Sequence, residues 1–190
     1  MPDADVMKFL LTRRSHPARS LSAPWPGRDD LEPLLVAAAR SPDHGKLEPW
    51  RFVVLQQGAM ARLAALVRER GVALGHDSAA QDKAASLYES SGLAVVVVSS
   101  PVASAKVPVI EQTYSAGAVS LALLNAALAA GWGANWISGW ASHDRGFVEA
   151  GFGLSGHEHV AGIIHIGTAT AVPPERPRPD MARITSWLRD

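Results

Sequence analysis

The chain has 190 residues, of which 47% are hydrophobic and 19% charged, the proportions of an ordinary globular domain with room for a sizeable core. Eighteen basic residues balance eighteen acidic ones, which argues against a nucleic-acid binder. There is no cysteine, which excludes a disulfide framework, a thiol nucleophile and a thiolate metal site.

Met1 to Lys8 holds two aspartates and no long apolar run, so no secretory signal is expected there. From Asp3 to Arg14, residues Val6, Phe9, Leu10 and Arg13 share one helical face, and Pro17 predicts a stop near Ser15. Ser20 to Arg28 contains Pro24, Pro26 and Gly27 and reads as a connector. Asp29 or Asp30 then offers an N-cap, and Pro33 is tolerated in the first turn. Leu31, Leu34, Leu35, Ala38 and Ala39 form the apolar stripe of this second helix.

Arg51 to Gln56 reads as a strand. Met60, Leu63, Ala64 and Val67 mark a third helix, and Ser78 to Ser90 a weaker one. Leu93 to Ser99 carries four consecutive valines, the pattern of a strand buried on both faces. Val109 to Ala130 predicts a long alanine-rich helix closed by Gly131 and Gly133. Its apolar run from Ala116 to Trp132 is broken by Ser120 and Asn125 and is short for a membrane span, so it reads as a buried helix. Asn135 to Ser138 reads as a strand edge, His143 to Ala150 as a short helix, and Val160 to Gly167 as a second buried strand. The proline-rich tail, 171 to 190, is expected to run over a surface. The simplest architecture is one α+β domain spanning 1–190, with a mixed central sheet flanked by helices.

Three stretches could carry chemistry. Arg13, Arg14 and Ser15 could fork onto phosphate oxygens, although arginines in a last turn also complement the helix dipole. The loop from Arg40 to Trp50, stiffened by Pro42 and Pro49, could meet the polar edge of a ring ligand through its amides and His44; it could equally be a plain surface loop. From Gly131 to Trp140, three tryptophans alternate with glycines, which suits either a flat aromatic slot or core packing. No phosphate-binding P-loop, Rossmann glycine motif or nucleophile elbow is present. His157 and His159 alternate but lack further ligands nearby, which argues against a metal site.

Taken together and in this order, these stretches resemble the FMN-dependent nitroreductases, in particular their small bacterial NAD(P)H branch. The matching residues are Arg13-Arg14-Ser15; Arg40, Pro42, Asp43 and His44; Pro49-Trp50-Arg51-Phe52; Lys106-Val107-Pro108 with Glu111-Gln112 and Ser115-Ala116-Gly117; Trp136, Ser138 and Gly139; and Gly167-Thr168. The resemblance spans roughly residues 5 to 170. It implies an FMN-binding α+β fold and a cytoplasmic homodimer with two flavins at the subunit interface. It implies that Arg13, Arg14, Ser15, Arg40, His44, Trp136, Ile137 and Ser138 contact FMN. The implied activity passes electrons from NADH or NADPH to a nitroaromatic, quinone or similar small acceptor by a ping-pong mechanism, with no protein nucleophile and no metal. Neither nucleic acid nor membrane is an implied partner.

Three departures stand out. Ile137 occupies a position that is arginine in the branch, Glu48 replaces the glutamine before Pro-Trp, and the segment after Ser15 is one residue longer. Ile137 and Glu48 keep a second reading open, a flavin-binding or degenerate scaffold of the same fold without efficient turnover.

Overall fold

A computed structural model describes residues 3–189 of the chain. Helix α1 spans Ala4–Thr12, and the Asp3 carboxylate caps it by accepting from the Asp5 and Val6 amides. A 3-10 turn, Ala18–Ser20, leads into the supposed connector, which itself holds a two-residue strand β1, Leu21–Ser22. Helix α2 spans Arg28–Ala38. Its N-cap is Gly27 and not Asp29 or Asp30; Asp30 instead reaches back from the first turn to accept from the Gly27 amide at 3.1 Å.

Strand β2 (Trp50–Gln56) leads into α3 (Gln57–Ala73) and α4 (Ser78–Glu89). Strand β3 (Leu93–Ser99) is followed by α5 (Val109–Ala129), which ends at Gly131 with φ +88°, a conformation that suits glycine. Strand β4 (Gly133–Ile137), a 3-10 turn (Trp140–His143), α6 (Arg145–Phe152), β5 (His159–Ala169) and α7 (Met181–Ile184) complete the chain. No described helix is long and apolar enough to cross a membrane.

The central sheet flanked by helices is as expected, but its pairings are all antiparallel, not mixed. Strand β5 is central: it pairs with β3 and β4 along its length and with β1 at its end, and β2 lies outside β3. Counting helices explains the directions. Two successive helices, α3 and α4, return the chain so that β3 runs opposite to β2. The single-helix crossover through α5 makes β3 and β4 parallel, but β5 inserts between them and opposes both.

Helices α3, α4 and α6 cover one sheet face, with Leu63, Val67, Tyr88, Val96, Val98 and Phe147 in that core. Helices α2 and α5 cover the other, over Leu31, Leu34, Val95, Val97, Leu123 and Ile166. The four valines thus divide two and two between the faces, as a doubly covered strand requires. Helix α1 differs. It buries no residue, and Val6, Met7, Leu10 and Leu11 form an exposed apolar stripe.

Candidate functional site: a guanidinium cluster and an aromatic cavity flanking β4

The segment after α1 leaves the helix at Arg13 in an extended conformation and lies along β4. The His16 amide donates to the Ala134 carbonyl at 2.9 Å, and Asn135 Nδ2 donates to the His16 carbonyl at 2.7 Å. These two bonds fix Arg13, Arg14 and Ser15 beside the strand. Arg13 Nη2 donates to Ser15 Oγ at 3.2 Å, while Arg13 Nε is buried with no partner. Burial, then the nearby charges of Arg178 and Arg14, lower the Arg13 pKa. No described carboxylate pairs with it.

Arg14 donates to the Pro174 carbonyl and lies 3.5 Å from Glu175, so the tail is drawn over this segment. Arg178 pairs with the same carboxylate at 2.8 Å. Arg14 and Arg178 therefore share one exposed carboxylate, and the neighbouring Arg13 has none. A cluster with this surplus of positive charge, and with an unpaired buried N–H, is suited to a bound anion.

At the far end of β4 lies a cavity of about 420 Å³ between α4 and the turn after the strand. Ile137, Ser138 and Trp140 form its floor, Lys83 and Tyr88 come from α4, and Ile163 and His165 from β5. Its size and mostly apolar lining suit a flat organic ligand. Trp136 points to the opposite sheet face. It lies over Gly162, where an added Cβ would stand 2.4 Å from the indole Nε1 and 3.0 Å from Ser120 Oγ. Glycine at 162 is what lets this indole lie against the sheet.

Arg40 and His44 sit apart from both features. Arg40 is exposed just beyond α2. His44 faces α5, with Nε2 3.3 Å from the Glu111 carbonyl and Nδ1 3.5 Å from its carboxylate. Their loop is firmly built: Ser115 Oγ donates to the Pro42 carbonyl, and Trp50 Nε1 donates to Ser115 Oγ at 3.1 Å. It holds His44, Gly45 and Lys46 in succession, then Glu48, at positive φ. Backbone strain of this kind on non-glycine residues is commonest at functional loops. Among the described residues no hydrogen bond or ion pair joins this loop to Arg13–Ser15.

The structure thus groups Arg13, Arg14 and Ser15, places Ile137 and Ser138 at a cavity, and leaves Trp136, Arg40 and His44 on other surfaces. It also adds residues the sequence reading missed. Arg178 joins the cluster through a tail contact about 160 positions from Arg14 in the chain, which no local pattern reveals. Lys83 gave no signal on its alanine-rich helix. His165 did give one, as an ionisable residue set between isoleucines in a buried strand.

The pattern of the nitroreductase family matches residues 10–168. The chain belongs to the nitroreductase family. It is 34% identical over 164 residues to "Putative NAD(P)H nitroreductase YdjA" of Escherichia coli K12, covering 86% of this chain and 88% of that one. A "Putative NAD(P)H nitroreductase" of Haemophilus influenzae is 34% identical over 165 residues, with the same coverage. Among solved structures, a nitroreductase-like family protein from Bacillus cereus superposes with a TM-score of 0.81 at 21% identity, over 99% of this chain and 98% of its own. A Desulfovibrio desulfuricans protein described as a nitroreductase in complex with FMN gives 0.74 at 18% identity, covering 97% and 96%. These structures establish the nitroreductase-like α+β fold, and the family assignment makes the chain an oxidoreductase.

Proposed function

We propose that this nitroreductase-family protein binds FMN and passes electrons from NADH or NADPH to a small acceptor such as a nitroaromatic or a quinone. The observation that carries this reading is Arg13, a partly buried guanidinium with an orphaned Nε and no carboxylate of its own, set beside Arg14 and Arg178. Such a group fits the phosphate of FMN. The cavity lined by Ile137, Ser138, Trp140 and Lys83 fits the ring system, with Lys83, Ser138 and His165 among the polar groups of a mostly apolar wall. Strand β4 connects the two features.

Bound FMN supplies the hydride and electron chemistry, so the chain needs no nucleophile of its own. The chain holds the phosphate, walls one side of the ring and excludes water from it. Donor and acceptor use the same opening in turn, which gives ping-pong kinetics.

We further propose a homodimer acting in the cytoplasm. The apolar stripe of α1, the exposed Tyr114 and Leu121 on α5, and the exposed Trp187 and Leu188 in the tail all lack partners within the described chain. A second copy covering them would also explain why Arg40 and His44 lie away from Arg13: each loop would serve the flavin held by its partner. The scaffold reading rests on Ile137 and Glu48. Arg178 offers a third guanidinium where Ile137 offers none, and Glu48 is exposed on the loop, so turnover is the better-supported reading. The test is FMN titration followed by steady-state kinetics. One flavin per chain and parallel double-reciprocal lines are expected; a protein that takes up no FMN would refute the proposal.

A further inference from the structure

The inner wall of the cavity carries a group that nothing so far explains. His165 is 1% exposed, and its Nδ1 is buried with no hydrogen-bond partner. It stands on the central strand between Ala94 of β3 and Asn135 of β4, on the sheet face that carries Ile163. Trp140, on the cavity floor, has a buried Nε1 that is likewise unpartnered. Both residues are among those lining the cavity, and the Trp140 ring also stacks on His76 with centroids 4.5 Å apart. The neighbouring positions on β5 are isoleucines, and an apolar side chain at 165 would avoid the desolvation of an imidazole altogether. Buried polar atoms in native proteins nearly always find a partner, so two orphans on one cavity point to a ligand that completes them. Burial lowers the His165 pKa to about 4, which leaves a neutral imidazole with one N–H and one lone pair at neutral pH.

We propose that His165 recognises the polar edge of the flavin ring within this cavity, through a hydrogen bond from its imidazole, and so sets the orientation of the ring. The inference rests on the FMN reading above. That edge alternates carbonyl acceptors with an N–H donor, so a neutral imidazole meets a complementary atom there in either tautomer. Trp140 Nε1 can only donate and pairs with an acceptor on the same ring system. The two residues thereby distinguish a polar heterocycle from a plain hydrocarbon ring.

The test is a fluorescence titration of FMN and riboflavin, which lacks the phosphate, into wild type, His165→Phe, His165→Asn and Arg13→Ala. His165→Phe is expected to weaken both ligands by the same factor, about five- to thirtyfold, because it removes a ring contact. His165→Asn, which keeps polar atoms near the Nδ1 position, is expected to restore most of that loss. Arg13→Ala is expected to weaken FMN and leave riboflavin unchanged. Unaltered affinity for both ligands in His165→Phe overturns the inference and leaves the FMN reading standing; a wild type that binds neither ligand overturns both. If His165→Phe does not fold, imidazole ¹⁵N shifts of the wild type serve instead. FMN addition is expected to move the signal of the buried neutral histidine, and an unmoved signal, as from a ring bonded to a trapped water in both states, overturns the inference.

Discussion

Arg13 and Ser15 are joined by a 3.2 Å hydrogen bond from Nη2 to Oγ, which steers the guanidinium while its buried Nε stays without a partner. Part of Arg13 is thus held in place and part is left free for a ligand. Arg13→Ala is expected to weaken FMN by on the order of 1.5–3 kcal/mol, tenfold or more, as for loss of a charge-assisted contact to phosphate. Arg14 already spends contacts on Pro174 and Glu175, so Arg14→Ala is expected to cost less. Equilibrium FMN titration measures both, and equal affinities in all three proteins would reduce the pair to surface groups.

Ser115 ties the strained loop to α5, accepting from Trp50 Nε1 and donating to the Pro42 carbonyl. Ser115→Ala leaves both groups unpartnered and is expected to cost about 1–3 kcal/mol in urea unfolding. FMN affinity is expected to fall in step if Arg40 and His44 serve a partner's flavin. A destabilised variant with unchanged affinity would separate the loop from the site.

Val6, Met7, Leu10 and Leu11 are solvent-exposed in the single chain. Leu11→Asp therefore removes no internal packing, and in a monomer it would change stability by no more than about 0.5 kcal/mol. In a dimer built on α1 it places a charge inside the interface. Sedimentation is expected to show a species of about twice 20.1 kDa for wild type and a shift toward the single chain for the variant. A wild type that sediments only as a single chain while holding FMN tightly would contradict the interface.

Glu158 is a buried carboxylate gripped by Arg51, at 2.6 Å from Nε and 2.7 Å from Nη2, and it accepts from the Ser155 amide at 2.8 Å. The Arg51 hydrogen bond is the main reason its pKa falls from 4.5 to about 2. The folded value lies below the unfolded one, so the stabilisation is complete above about pH 4.5 and is lost as pH falls toward 2. The loss is expected to be on the order of 2–3 kcal/mol. Urea unfolding across this window measures it: Glu158→Gln is expected to be less stable at pH 7 and flatter in acid. Parallel pH profiles for the two proteins would assign the acid sensitivity elsewhere.

Much of the fold could be read from local pattern. Leu93–Ser99 emerges as the strand its four valines suggest, and α5 ends one residue before the expected Ala130. Long periodic or uniformly apolar segments carry their own signal. Strand β1 does not, because two residues become a strand only through their pairing with Thr168 and Ala169. The wholly antiparallel sheet depends on how many helices intervene and on where β5 inserts, and neither is a property of any one segment. The candidate site divides in the same way. Arg13-Arg14-Ser15 is a contiguous string that local pattern offers either as an anion seat or as a dipole-complementing last turn, whereas Arg178 and Lys83 join it or the cavity only through tertiary packing.

Electron transfer through FMN is the central claim, and anaerobic reduction of the FMN-loaded protein tests it most directly. NADH and NADPH are each added without oxygen while the visible flavin band is followed. The account predicts that at least one nicotinamide bleaches the band and that a nitroaromatic or quinone then restores it, one equivalent per flavin. A band that survives both nicotinamides, in a protein with flavin fully bound, would contradict it.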